Sequence, residues 1–167
     1  MKLKEIDSLL YIDSGASAPM IVCSEYKLHL LYYYHKSISD KEYIETPKER
    51  NIKEDKGIAI LTFSSVYIHK FGYPNDEVLM SHPYYKLGLE SYGMFEVEKS
   101  DWIDAIEKMN RVHPFHKSDR YKTLKHYIIT FKDATFECIT EKVELSFTRM
   151  TLNEAMLVVC SSWSNDL

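Results

Sequence analysis

"HYIITFKDATFECITEKVELSF", residues 126–147, decides how this chain is read. Three runs within it, HYIITF, TFECIT and VELSF, are rich in apolar and β-branched side chains, the last alternating cleanly between apolar and polar, and turn-forming residues at 132–134 and 141–142 separate them. A period of two sends successive side chains to opposite faces, so the runs predict three successive strands. In the last, Val143, Leu145 and Phe147 point inward while Glu144 and Ser146 point outward, the pattern of an antiparallel strand with one wet face. In the first, His126 shares a face with Ile128 and Thr130, opposite Tyr127, Ile129 and Phe131. If the aromatic face meets the core, His126 stands at the sheet margin and points into a groove. Glu137 faces away from Phe136 and Cys138, so it lies either on the wet face or buried with a partner. Were His126 that partner, across the 132–134 turn, the two would form an acid–base or supporting pair.

Working outward, "DWIDAIEKMN" follows Ser100, which caps a predicted helix with Trp102, Ile103, Ile106 and Met109 as its apolar stripe. Asp101 and Asp104 lie near its positive N-terminal end. "YGMFEVEKS" before it reads as a strand. "GYPNDE" is turn chemistry, with a short helix beginning near Asp76 and closed by Pro83 and Gly88. "MIVCSEYKLHLLYYYHK" reads as two strands around a turn at 25–27. The second has Leu28, Leu30 and Tyr32 on one face and His29, Leu31 and Tyr33 on the other, which suits a central position. "GIAILTFSSVYIHKF" resumes the strand pattern. At the C-terminus "TLNEAMLVV" opens with the capping box Thr151 to Glu154 and predicts a helix. At the N-terminus Leu3, Ile6, Leu9 and Leu10 predict a short helix over 2–11. Residues 36–56 are dense in mixed charge and read as a long solvated loop. The whole predicts an α+β fold, a mainly antiparallel sheet with a few helices packed on one face. Residues 1–167 form a single domain.

A chain of 167 residues with net charge −4 lacks the basic face a nucleic-acid binder needs. No run of about 18 apolar residues could span a bilayer, and acidic residues interrupt the N-terminus where a signal peptide would be apolar. The expectations are a cytoplasmic protein with no nucleic-acid and no membrane partner. Cys23, Cys138 and Cys160 form no C-x-x-C and read as small core residues. Phosphate-binding glycine loops, a G-x-S-x-G elbow and H-E-x-x-H are all missing, so no cofactor is called for.

The remaining chemistry is dispersed. "VHPFHKSDRYKTLKHY", residues 112–127, holds His113, His116 and His126, and with His82 these are the candidate metal ligands. Glu77, Glu137 and His126 are the candidate catalytic groups. Pro114 keeps His113 and His116 off successive turns of a helix, so their spacing belongs to a loop. Tyr33, Tyr84 and Tyr85, with His113 and His116, are the candidate binding residues, because tyrosine serves surfaces that are dry on one side and wet on the other. The segment running from PNDE through SHPYYKLGL and NRVHPFH to HYIITFKDATFEC is similar to small uncharacterised bacterial single-domain proteins. That resemblance covers residues 72–138 and implies no activity and no functional residues.

Two functions follow as expectations. The first is a noncatalytic protein-interaction module of bacterial origin, such as an inhibitor or immunity-type protein, whose tyrosines and acidic residues meet a partner with a basic surface. The alternative is a small metal-assisted hydrolase using the histidine and carboxylate cluster.

Overall fold

The computed structural model describes residues 1–6, 12–35 and 56–163. Nine strands in two antiparallel sheets make up an α+β fold among these residues. The larger sheet holds β1 (Lys2–Glu5), β5 (Ile68–Gly72), β6 (Met94–Glu98), β7 (Lys125–Thr130) and β8 (Thr135–Thr140), in the order β1-β6-β7-β8-β5. The smaller holds β2 (Met20–Cys23), β3 (Lys27–His35), β4 (Lys56–Ser64) and β9 (Lys142–Thr148), in the order β2-β3-β4-β9. Each sheet carries its helices on its outer face. α2 (Leu152–Trp163) covers the smaller sheet, while α1 (Asp101–Asn110) and three 3-10 segments, Asp76–Ser81, Tyr85–Leu87 and Ser118–Thr123, cover the larger.

The two inner faces make the main core. Leu28, Leu30, Tyr32, Ala59, Leu61 and Phe63 meet Met94, Tyr127, Ile129, Phe131, Phe136 and Cys138. The rings interlock at favourable centroid separations, 5.3 Å for Tyr32 with Phe131 and 5.3 Å for Phe63 with Phe136. This core consumes the face of β7 opposite His126 and the face of β8 opposite Glu137, so both polar residues project into the layer between sheet and helices.

The three strands of 126–147 exist, but they do not form one meander. β7 and β8 pair with each other, whereas β9 leaves for the smaller sheet and pairs with β4. Thr140 ties the corner by donating its hydroxyl to the Ser64 carbonyl at 2.6 Å. β3 lies between β2 and β4, in the interior position its two apolar faces require. The capping box forms as written: the Thr151 backbone N–H donates to Glu154 Oε2 at 2.8 Å, and the Glu154 N–H returns to Thr151 Oγ1 at 3.3 Å.

Several expectations are corrected. Residues 2–5 form an edge strand rather than a helix, with Lys2 opposite Glu98 and Lys4 opposite Glu96. The strand sends Leu3 to the outer layer and Ile6 follows it into the inner core, a separation that a helix would have erased. The rest of that predicted helix, 7–11, lies outside the described residues, as do positions 36–55 of the charged loop. Met109 is 67% exposed, because α1 buries Ile106 and Glu107 instead. Only Cys138 is a core cysteine; Cys23 and Cys160 are exposed. Gly88 closes the second 3-10 segment at φ +97°, a left-handed conformation that suits glycine.

Candidate functional site

β7 and β8 bring His126 and Glu137 onto the same outer face, on diagonal register positions: His126 opposes Ile139 and Ile128 opposes Glu137. Two apolar clusters flank the pair. Leu79, Tyr84, Leu89, Phe95, Val97 and Ile128 lie to one side, with Ile106, Tyr121, Leu124 and Ile139 to the other. His126 is wholly buried and Glu137 is 8% exposed. The expected groove at the sheet margin is therefore absent: β7 is an inner strand, and α1 lies over it. The indole of Trp102 on α1 stacks edge-on to the His126 ring at 5.1 Å.

The polar atoms close into one network. His126 Nε2 meets Glu137 Oε2 at 3.1 Å, and His126 Nδ1 meets Ser100 Oγ at 2.8 Å. His82 comes from the end of the first 3-10 segment, and its Nε2 faces Glu137 Oε1 at 3.5 Å. The Tyr84 backbone N–H donates to His82 Nδ1 at 3.2 Å, so the His82 proton sits on Nε2 and points at the carboxylate. Ser100 Oγ accepts the Ile103 N–H at 3.2 Å as the cap of α1, which frees its own proton for His126 Nδ1. His126 Nε2–H then donates to Glu137. The network closes around the ionised Glu137, which both imidazoles face.

Lys70 on β5 supplies the compensating charge, with Nζ 3.6 Å from Glu137 Oε1 and 4.1 Å from the centre of the Trp102 ring. Burial pushes the Glu137 carboxyl upward. The hydrogen bonds from His126 and His82 and the charge of Lys70 outweigh burial and hold it well below the usual carboxylate range. Tyr84 seals the margin, donating its hydroxyl to Asp101 Oδ1 at 2.5 Å; burial and then that carboxylate push its phenol pKa up, so the hydroxyl keeps its proton.

A second carboxylate organises the link after α1. Glu107 accepts from Arg111 Nε at 2.9 Å, from Ser118 Oγ at 2.9 Å and from His116 Nε2 at 2.8 Å. The hydrogen bonds from Arg111, then Ser118, pull its carboxyl down to about 2. Seven residues separate Ser100 from Glu107 along α1, a rise of roughly 10 Å, so the two carboxylate centres are distinct.

The sequence-predicted residues distribute as follows. His126, Glu137 and His82 come together. His113 and His116 do not join them: His116 belongs to Glu107, and His113 is exposed, its Nδ1 accepting the Phe115 N–H at 3.1 Å. Among the described residues no group of three or more His, Cys, Asp or Glu is arranged to hold a metal ion. The two buried imidazoles already spend both nitrogens on protein partners. Glu77 is exposed on the first 3-10 segment, away from this network. Tyr33 packs beneath α2, and Tyr84 is buried in the network, whereas Tyr85 is 44% exposed. Sequence reasoning missed Lys70, Trp102 as a ring neighbour of His126, and the second role of Ser100. Lys70 lies two residues from Ile68, on the same outer face of β5, and opposes Glu137 in register.

Beside the network the first two 3-10 segments and the residues after them form a cleft of about 240 Å³ lined by Asp76, Leu79, Met80, Tyr85, Leu89, Glu90 and Ser91. Met80 is 70% exposed and Tyr85 44% exposed at its rim. Asp76 is fixed in place by the Tyr92 hydroxyl, which donates to its Oδ2 at 2.5 Å. Comparison with known protein families, with curated proteins and with solved structures finds no match. No helix among the described residues is long and apolar enough to cross a membrane.

Proposed function

We propose that this protein is a noncatalytic protein-interaction module, of the inhibitor or immunity type, that receives a basic side chain of its partner in the cleft between the 3-10 segments. The observation that carries this reading is the cleft itself, with Asp76 and Glu90 among its lining residues and Met80 and Tyr85 exposed at its rim. Residues 73–92 contain Asp76, Glu77 and Glu90 against Lys86 alone, so the surface is locally acidic. A cationic group entering there gains a carboxylate partner and a ring face, while Met80 adapts to its shape.

The network beneath fits a supporting role better than a reactive one. His82, His126, Ser100 and Glu137 satisfy one another; His82 and His126 are buried, and Ser100, which lines a neighbouring cleft of about 470 Å³, is 2% exposed with its hydroxyl on His126. What they accomplish is to pin the 3-10 segments and α1 to the sheet. A surface held in one geometry loses less entropy on binding.

The test is capture from native lysate, comparing wild type with Tyr85→Ala and Glu90→Lys. Both positions are exposed, so both variants should fold normally. A stoichiometric partner with a basic contact surface, retained by wild type and lost by each variant, is the expected result. Recovery of no stoichiometric partner, or equal retention by both variants, would refute the proposal.

A further inference from the structure

We propose that the stretch running from the last turn of α1 through the link into the third 3-10 segment, residues 108–122, docks onto an anionic membrane surface, with Val112 and Phe115 entering the interface. The inference is independent of the acidic cleft and concerns the opposite charge. Residues 107–122 hold five Lys or Arg and two Asp or Glu, a net of +3 in a chain whose total is −4. Basic charge is thus concentrated on one short loop of an acidic protein.

The apolar side chains there are unusually bare. Val112 is 90% exposed, Phe115 77% and Met109 67%. Three large apolar groups at the end of α1 and on the link are mostly exposed, the Phe115 ring touching only the His113 ring among the described aromatic neighbours, and each has a cation near it in sequence: Lys108 next to Met109, Arg111 next to Val112, and Lys117 two residues past Phe115. Arg111 is engaged by Glu107 and Lys122 by Asp119. Lys108, Lys117 and Arg120 have no ion-pair partner among the described residues, which leaves them available to phosphate or carboxylate headgroups.

The loop is also built to hold this shape. Glu107 fastens both ends, taking Arg111 from the start and His116 and Ser118 from the finish at 2.8 to 3.1 Å. Inside that clamp the His113 N–H donates to the Asn110 carbonyl at 3.0 Å and the His116 N–H to the His113 carbonyl at 2.9 Å. Pro114 removes one more degree of freedom. The tip is therefore held in one shape, with Val112 and Phe115 exposed.

Charge and shape together choose the occupant. A ring of cations around protruding apolar side chains matches an interface where headgroups are anionic and the layer just beneath is apolar. A bilayer accepts a protruding tip without a complementary pocket. An acidic protein would need a cavity shaped to Val112 and Phe115.

Vesicle co-sedimentation decides the matter, using the full chain with phosphatidylcholine vesicles and with phosphatidylserine-rich vesicles at low salt. Wild type should bind the anionic vesicles at least about tenfold more tightly than the neutral ones, and salt should weaken the binding. The pair Val112→Ser with Phe115→Ser and the pair Lys117→Glu with Arg120→Glu should each lose roughly tenfold, with circular dichroism unchanged because all four side chains are at the surface. Equal binding to both vesicle types, no binding to either, or undiminished binding by the serine pair would overturn the proposal. So would binding of soluble polyglutamate as tightly as the anionic vesicles, which would assign the loop to an acidic polypeptide instead.

Discussion

Replacing Glu137 by glutamine removes one charge from the buried network while keeping its volume. Glutamine offers one acceptor oxygen and one amide that only donates, whereas the native carboxylate accepts from both His126 Nε2–H and His82 Nε2–H. One imidazole N–H therefore faces an N–H. Switching a tautomer does not rescue it: a proton on His82 Nδ1 would oppose the Tyr84 N–H, and a proton on His126 Nδ1 would strand the Ser100 hydroxyl proton. One buried donor is left unsatisfied whichever way the network rearranges, a cost of about 1–3 kcal/mol. The Lys70 contact adds little, since that side chain is 60% exposed and solvent screens it. A loss of about 2 kcal/mol lowers the melting temperature by roughly 4–8 °C for a chain of this size.

The pH dependence carries an independent sign. Glu137 ionises more readily folded than unfolded, so its stabilising contribution is present in full above the unfolded value of about 4.3 and is lost as pH falls from there through the lower folded value. Thermal melts of wild type and Glu137→Gln across an acid series should show two curves that converge as pH falls below about 4. A variant melting within about 1 °C of wild type at neutral pH, with a parallel acid limb, would refute the account of Glu137 as the ionised acceptor of both histidines.

Two further substitutions test neighbouring parts of the argument. Ser100→Ala removes both the cap of α1 and the donor to His126 Nδ1, so urea unfolding should show a loss of about 2–4 kcal/mol, more than a cap alone would give. Tyr32→Phe should be neutral or stabilising by up to about 1 kcal/mol. The Tyr32 side chain is fully buried between the sheets and its hydroxyl has no partner among the described residues, so the ring contributes and the hydroxyl does not. A clear destabilisation in the same unfolding assay would show that the hydroxyl is satisfied.

Much of the local structure was legible because it depends on parity and near neighbours. The strand period in HYIITF and TFECIT set His126 on the face away from Tyr127, Ile129 and Phe131 and Glu137 on the face away from Phe136 and Cys138, and the short turn between the strands made their pairing possible. Ser100 and the Thr151 to Glu154 box announced helix starts through hydrogen bonds that reach only three residues. Which strands pair, and what covers them, depends on contacts distant in the chain, and there local pattern has no reach. Apolar spacing at residues 3, 6, 9 and 10 fits a helix, yet pairing with β6 makes residues 2–5 an edge strand. VELSF shows which of its faces is apolar but not that it joins β4 across a corner instead of β8. His82 and Lys70 reach Glu137 only because the 3-10 segment folds over the larger sheet and β5 pairs with β8. His113 and His116 stay apart from that centre because α1 spaces Glu107 from Ser100 by two turns. By itself the sequence determined side-chain faces, caps and turns, which are properties of period and short-range bonding. The tertiary structure decided the two-sheet division and the members of the buried network, since non-local pairing alone chooses which faces meet.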